Sequence, residues 1–165
     1  MTTPEAGIDI TAPKIIWHAG FIVEDLEKAM DELTRGIGLS WNEPHHLDGQ
    51  KLQGPNDQSW TLAGSVVFST DLPLALELIQ PTPGTPNERI GDSAFHHLGY
   101  WDTNLEAEQE RLEGLGYGCV MFRQDPETLL RRIMVNDGPF GVLLEATNAL
   151  TKRPGLEGFY PEGLR

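Results

Sequence analysis

The sequence contains a single cysteine, Cys119, among its 165 residues. A disulfide within the chain is therefore impossible, and a metal site built from several thiolates is excluded. Cys119 stands beside Val120 and Met121, and no pattern around it would activate a thiol. We interpret it as a strand residue rather than a nucleophile.

Basic residues are also scarce, because 12 Lys and Arg against 25 Asp and Glu give a net charge of −13. A field of this sign repels nucleic-acid phosphates and anionic lipid, so neither nucleic acid nor a membrane is expected as a partner. Residues 1–13 lack the basic start and apolar run of a signal peptide, and no apolar stretch approaches the roughly 18 residues that span a bilayer. The expected location is the cytoplasm.

Apolar residues make up 39% of the chain, which is enough for the core of one domain. The order of patterns is strand, helix and several strands, followed by a Pro- and Gly-rich linker and then the same order again. One helix followed by strands with short turns predicts an α+β fold with mixed sheets. The predicted parts of this single domain, 1–165, are a first module at about 14–80, a linker at 81–93, a second module at about 94–147 and an irregular tail at 148–165.

The two modules are related by an internal repeat with an offset of 79 residues, which places His18 over His97. The segment HAGFIVEDLEKAMDEL then lies over HLGYWDTNLEAEQERL. Each half also ends in an apolar strand interrupted by one glutamate, LALELI at Glu77 and VLLEAT at Glu145. Each module therefore contributes one histidine from its first strand and one glutamate from its last.

A single strand histidine is more often a core residue than a ligand, and a single strand glutamate usually lies at a rim. Two glutamates in apolar strands at equivalent places need a shared reason, because an unpaired buried carboxylate costs several kcal/mol. In both modules the histidine shares its face of the strand with a glycine two residues on, which leaves room above the sheet. We therefore predict a divalent metal held by His18, Glu77, His97 and Glu145. Two imidazoles and two carboxylates suit Zn²⁺, Fe²⁺, Mn²⁺, Co²⁺ or Ni²⁺ better than Ca²⁺ or Mg²⁺.

The sequence resembles the vicinal oxygen chelate superfamily, which includes glyoxalases, methylmalonyl-CoA epimerases, extradiol dioxygenases and bleomycin-resistance-type binding proteins. The resemblance rests on the order of WHAGFIVEDLEKAM, LALELIQPTPGTP, FHHLGYWDTNLEAE and FGVLLEATN. It implies two tandem βαβββ modules whose sheets curl around a metal, the same four ligands, and a homodimer. The His-Glu-His-Glu set is most similar to that of glyoxalases, whereas epimerases usually carry Gln where Glu77 stands.

The function implied is that of a metal-dependent lyase or isomerase of the glyoxalase type, acting on a small substrate with two neighbouring oxygens. The metal would stabilise an enediolate or enolate, and Glu145 or Glu77 would act as the base. Weaker candidates for the base are His45, His46, Glu43 and Tyr100. Two alternatives remain open: an iron-dependent extradiol-type dioxygenase, and a non-catalytic small-molecule binding or resistance protein whose pocket is lined by tryptophans (Trp17, Trp41, Trp60 and Trp101).

Overall fold

The structure is a computed structural model that describes residues 14–163. Its elements follow the predicted order of two similar halves. The first half contains β1 (Ile16–Ile22), α1 (Leu26–Ile37), β2 (His45–His46), β3 (Lys51–Gln53), β4 (Ser59–Thr61), β5 (Ser65–Phe68) and β6 (Ala75–Ile79). The second half contains β7 (Phe95–Asp102), α2 (Leu105–Gly114), β8 (Cys119–Gln124), β9 (Arg131–Asn136) and β10 (Leu143–Asn148).

Capping residues define the start of both helices and the end of α1. Asp25 caps α1 by accepting a hydrogen bond from the amide of Lys28 at 2.9 Å, and Asn104 caps α2 through the amide of Ala107 at 3.1 Å. Gly38 ends α1 in a left-handed conformation with φ of 78°, which glycine adopts without a steric cost. None of the described helices is long and apolar enough to cross a membrane.

The strands form one ten-stranded mixed sheet in the order β2-β5-β6-β1-β7-β10-β9-β8-β3-β4. β1 pairs with β6, and β7 with β10, in parallel, while β1 and β7 join the two halves in antiparallel fashion. The order β2-β5-β6-β1 is therefore mirrored by β8-β9-β10-β7 across the junction. This arrangement confirms the predicted α+β fold of two βαβββ modules with a curled mixed sheet.

The segment 42–61, which is rich in polar residues, contains three short strands. β3 and β4 form a hairpin, and Gln53 of that hairpin pairs with Phe122 of β8. Leu52 is buried there, which anchors the hairpin of the first half on the second half. The polar residues on either side of Leu52 gave no indication of this buried position.

The two faces of the sheet have different partners. Leu78 and Ala146, which follow the two strand glutamates, pack in the apolar clusters beneath α1 and α2 respectively. The tail covers the end of the central strands, since Leu156, Phe159 and Tyr160 are buried in a cluster with Trp17 and Trp101. The predicted irregular tail is thus a packed cover with one short 3₁₀ turn at Glu157–Phe159.

Candidate metal centre

The four predicted ligands lie in two short rows across the central strands. In one row Glu77 of β6 is opposite Gly20 of β1, and Gly20 is opposite His97 of β7. In the other row His18 is opposite Gly99, and Gly99 is opposite Glu145 of β10. Residues in register on neighbouring strands point to the same side of a sheet. The register alone therefore places all four donors on one face.

The central glycine of each row is required by the histidine of the other module. A Cβ atom on Gly20 would lie 2.2 Å from Cε1 of His97, and a Cβ atom on Gly99 would lie 1.7 Å from Cε1 of His18. Both distances are shorter than any ordinary van der Waals contact. The sequence pattern His-x-Gly thus has a steric cause, because each imidazole occupies the space above the facing glycine.

The four side chains converge at their polar atoms, and all four are buried. The Nε2 atoms of His18 and His97 are 2.8 Å apart. Oε2 of Glu77 lies 3.0 Å from Nε2 of His97 and 3.4 Å from Nε2 of His18. Glu145 approaches both imidazoles at 3.6 Å, with Oε1 toward His18 and Oε2 toward His97.

These separations fit a divalent metal. Nitrogen and oxygen ligands at about 2.0–2.2 Å from one ion are themselves about 3.0–3.5 Å apart. In addition, Oε2 of Glu77 is buried with no hydrogen-bond partner of suitable geometry among the described residues, although it faces both imidazoles. A cation between the two carboxylates and the two Nε2 atoms would satisfy this oxygen. The donor set and its spacing thus agree with the ligands predicted from the repeat.

The electrostatics of the cluster favour a charged carboxylate at Glu77. Burial alone would raise the pKa of Glu77, but the adjacent imidazoles of His18 and His97 outweigh it and hold that pKa below its usual range. Burial would lower the pKa of His97, but Glu145 and Glu77 together raise it. The cluster is therefore a strongly polar, cation-attracting pocket in an apolar sheet.

His96 fixes the orientation and tautomer of His97. Nε2 of His96 lies 2.8 Å from the carbonyl oxygen of Pro86, which can only accept, so this nitrogen carries the proton. Burial and the neighbouring His97 lower the pKa of His96, so its ring is neutral and Nδ1 is an acceptor. Nδ1 of His97, at 2.9 Å, then donates to it. The lone pair of His97 is consequently left on Nε2, the atom that faces the cluster.

Glu145 is held by hydrogen bonds that lead from its carboxylate through Thr147 to Trp17. The hydroxyl of Thr147 donates to Oε1 of Glu145 at 3.3 Å and accepts from the indole nitrogen of Trp17 at 3.2 Å. All three side chains are buried. The arrangement restricts the carboxylate of Glu145 to the face that it shares with His18.

A cavity of about 540 Å³ opens on this face of the sheet. Glu77, His97 and Glu145 form part of its wall. Much of the remaining wall is apolar (Leu47, Leu52, Leu62, Val66, Ile79 and Met121, among others). A volume of this size suits a small-molecule ligand.

The other predicted residues separate into two groups. His45 and Glu43 line the cavity, whereas His46 is exposed beside Ser65 and lies outside the wall. The expectation that Tyr100 could act as the base was wrong, because its hydroxyl donates to Glu108 at 2.7 Å on the helix side of the sheet. None of the four tryptophans lines the cavity, and Trp17 and Trp101 stack on each other at 4.5 Å as part of the core.

Sequence reasoning missed the basic residues of the cavity wall, which are Arg123, Arg132, Lys152 and Arg153. The Lys-Arg pair in the tail of an acidic chain was a usable signal, but its distance along the chain from the repeat hid its place. The role of His96 was also missed. Simple strand alternation predicts different faces for His96 and His97, but the pairing of β1 with β7 shifts register at this point, and the two Nδ1 atoms lie 2.9 Å apart.

Comparisons with known proteins agree with this architecture. The family model described as "Glyoxalase/Bleomycin resistance protein/Dioxygenase superfamily" matches residues 17–131. No curated protein sequence gives a significant match.

Solved structures with a similar fold include three examples. A hypothetical protein from Bacillus halodurans C-125 has a TM-score of 0.60 at 14% identity, covering 82% of this chain and 94% of that one. Methylmalonyl-CoA epimerase from Mycobacterium tuberculosis has a TM-score of 0.55 at 18% identity, covering 85% and 93%. A variant of the Streptomyces coelicolor epimerase, in complex with 2-nitronate-propionyl-CoA, has a TM-score of 0.58 at 16% identity, covering 87% and 100%. At these identities the likeness concerns the fold.

Proposed function

Because the chain belongs to the Glyoxalase/Bleomycin resistance protein/Dioxygenase superfamily, we propose that it is a divalent-metal-dependent isomerase or lyase acting on a small substrate with two adjacent oxygens. The observation that carries the proposal is the convergence of His18, Glu77, His97 and Glu145, of which the last three line one cavity. The metal would be Zn²⁺, Ni²⁺, Co²⁺, Mn²⁺ or Fe²⁺.

A divalent metal held by these residues would supply Lewis-acid stabilisation for negative charge that develops on a substrate oxygen when a neighbouring C–H group loses its proton. The chain itself supplies the proton acceptor. Glu77 and Glu145 both reach the cavity, and the low pKa of Glu77 keeps it deprotonated near neutral pH. A carboxylate adjacent to the bound substrate is a competent general base.

The pair of carboxylates supports isomerisation in particular. An epimerase must remove a proton from a carbon and return a proton to it, and either of two carboxylates beside the bound substrate could take part in these steps. Glu77 and Glu145 come from different modules, and both line the cavity. The shared fold with methylmalonyl-CoA epimerases supports the same choice, although Glu77 differs from the Gln usual in those enzymes. Lyase chemistry of the glyoxalase type needs only one of the two carboxylates as base.

The test has two parts. Purified protein is reconstituted with each of the five metals and its metal content measured, and it is then incubated in D₂O with methylmalonyl-CoA and, separately, with the thiohemiacetal of methylglyoxal. We expect about one metal per chain and metal-dependent exchange of the carbon-bound proton of one probe. Glu145→Gln should lower the exchange rate, whereas Glu110→Gln, an exposed glutamate of α2, should leave it unchanged.

Two results would replace the proposal. Oxygen consumption with a catechol in the Fe²⁺ form would favour the extradiol-type dioxygenase. Failure to bind any of the five metals, together with binding of apolar probes in the cavity, would favour a binding or resistance protein without turnover.

A further inference from the structure

The cavity beside the candidate metal centre has a charge opposite to that of the whole molecule. The chain has 12 basic residues in all, and four of them (Arg123, Arg132, Lys152 and Arg153) line this one cavity. The carboxylates in the wall are Glu43, Glu77 and Glu145, of which the last two belong to the candidate metal centre. Once a divalent cation neutralises that pair, the rest of the wall carries a net positive charge.

The guanidinium of Arg123 is largely buried, and its hydrogen bonds are incomplete. Nη1 donates to Oε1 of Gln50 at 2.8 Å, a neutral partner, while Nε is buried without an acceptor. Within residues 14–163 no carboxylate forms an ion pair with it. Burial and then the charges of Arg153 and Arg132 lower the pKa of Arg123 to about 10, so it remains cationic at neutral pH. A buried guanidinium with an unused donor costs free energy unless an anion binds it.

Arg153 and Lys152 are brought to the cavity by the tail. The backbone there is held by the phenol of Tyr160, which donates to the carbonyl of Thr151 at 2.8 Å and accepts from the amide of Arg153 at 2.8 Å. Nη2 of Arg153 is buried and has no hydrogen-bond partner among the described residues. Nζ of Lys152 lies 4.1 Å from the centre of the Tyr160 ring. The side chain of Arg153 is thus held at the cavity with an unused donor.

Arg132 differs from these residues because it is already neutralised. Its guanidinium forms an ion pair with Asp125, with Nε at 3.1 Å from Oδ2. The unused positive charge of the wall therefore belongs to Arg123, Arg153 and Lys152. Two of these three residues have a buried donor without an acceptor, and both donors lie on guanidinium groups, which bind carboxylate and phosphate in a forked geometry.

Resting on the proposed function, we propose that the substrate carries an anionic group, a carboxylate or a phosphate, in addition to the oxygens that face the metal cluster, and that Arg123 and Arg153 bind this group. The substrate would then be a small anionic oxygen-chelating molecule, with one end at the four buried donors and the charged end between β8 and the tail. The size of the cavity limits it to the small-molecule range.

The test measures anion binding by isothermal titration calorimetry, with inorganic phosphate and malonate as the probes and malonamide as the neutral analogue of malonate. Each probe is titrated into metal-loaded protein and into protein dialysed free of metal, so that binding to the metal is separated from binding to the arginines. The variants are Arg123→Gln and Arg153→Gln. The matched control is Arg35→Gln, which removes the same charge from the exposed end of α1, where Arg35 pairs with Asp31 at 2.7 Å.

We expect the metal-free parent to bind at least one of the two anions, and the anion that binds more tightly identifies the group as carboxylate or phosphate. Arg123→Gln and Arg153→Gln should each weaken that binding roughly 10- to 100-fold, the range for hydrogen bonds to charged groups, while Arg35→Gln binds like the parent. Circular dichroism melting establishes that each variant is folded, and Arg153→Gln, at a partly exposed position outside the sheet, serves as the second variant if Arg123→Gln melts early.

The inference is overturned if neither anion binds, if malonamide binds as tightly as malonate, or if Arg35→Gln weakens binding as much as the cavity variants. The failure of the proposed function is distinguishable from this outcome. Protein that binds an anion through the two arginines but no metal contradicts the metal-dependent reaction alone, and protein that binds metal but no anion contradicts the anion site alone.

Discussion

At the scale of single residues, Glu77 decides how many protein donors the metal would have. Glu77→Ala should lose most of the metal affinity and activity, because three donors remain and the two imidazoles lose their nearest carboxylate. Glu77→Gln keeps the shape but removes the charge, so we expect weaker metal retention with partial activity. Metal affinity is measured by competition with a chromogenic chelator. Glu43→Gln, at an exposed position of the cavity wall, is the control and should bind metal like the parent.

The opposite result for Glu77 has a clear meaning. If Glu77→Ala binds metal and turns over substrate like the parent, the four-ligand set fails. The remaining set of His18, His97 and Glu145 matches the two histidines and one glutamate of extradiol dioxygenases, and oxygen consumption then becomes the measurement to make.

His96 offers a test of how the chain holds a ligand without touching the metal. His96→Leu removes the acceptor of the His97 Nδ1 proton, so the imidazole is free to rotate or change tautomer. Loss of such a partner lowers metal affinity roughly 10- to 100-fold. His96→Gln, whose amide oxygen can accept the same proton, should restore part of it. His46→Leu, at an exposed strand position, should have no effect, and an equal loss in His46→Leu and His96→Leu would contradict this role.

The four candidate ligands could be named from the sequence because two modules gave the same information twice. The pairs His18 and His97, and Glu77 and Glu145, were found because each residue had an equivalent in the other half. Arg123 and Arg153 have no such equivalents. Their place depends on how β8 and the tail pack around the cavity, which no local pattern encodes.

At the scale of secondary structure elements, Glu108 connects α2 to the sheet through hydrogen bonds and ion pairs. The stability that these contacts contribute depends on pH. It is buried, accepts from Tyr100, and forms ion pairs with Arg111 at 2.8 Å and Lys14 at 3.2 Å. Burial alone would raise the pKa of Glu108, but Arg111, Tyr100 and Lys14 hold it at about 2, below its value in an unfolded chain. A depressed pKa means that the stabilisation is fully present above about pH 4.5 and is lost as the pH falls toward 2.

The variant Glu108→Gln should therefore be less stable than the parent near neutral pH, by at most about 2–3 kcal/mol, because Lys14 and Arg111 are partly exposed and water screens their charges. The difference should shrink below about pH 4.5. Urea unfolding between pH 3 and pH 7 measures it, with the exposed Glu110→Gln as the matched control on the same helix. A difference that is constant over this range would show that packing rather than charge connects Glu108 to the sheet.

The elements themselves were largely predictable because their ends carry strong local chemistry. Asn104 is an N-cap residue before the helical pattern of α2, and Gly38 follows the helical pattern of α1 and ends that helix. The hairpin β3–β4 was not predicted, because its stability comes from pairing with β8 and from one buried leucine rather than from alternation. The linker 81–93 likewise had no apparent role, yet it supplies the Pro86 carbonyl to His96.

At the scale of the whole molecule, a metal that binds at the β1–β7 junction would hold the two halves together. The donors come equally from both modules, so metal binding to the folded chain should raise its melting temperature. At a free metal concentration of 100 times Kd we expect a rise of roughly 5–10 °C for a domain of this size. His97→Ala should melt at the same temperature with and without Zn²⁺, and Mg²⁺ should have little effect on the parent, since it prefers oxygen ligands. A rise in His97→Ala equal to that of the parent would place the bound metal elsewhere.

The homodimer expected from the family remains a prediction, to be measured by sedimentation.

Because each histidine contacts the glycine of the opposite module, the effect of a substitution in one module depends on the residue present in the other. Gly20→Ala alone should be damaging, because the new methyl group collides with the ring of His97. In a chain that already carries His97→Ala, the same substitution meets no ring, so its cost should largely vanish, and the mirrored pair Gly99 and His18 should behave alike. In a double-mutant cycle of stability, the double variant should therefore be clearly more stable than the sum of the two single effects predicts. Because of this coupling, the loss of the histidine or the glycine from one module changes which substitutions the other module tolerates.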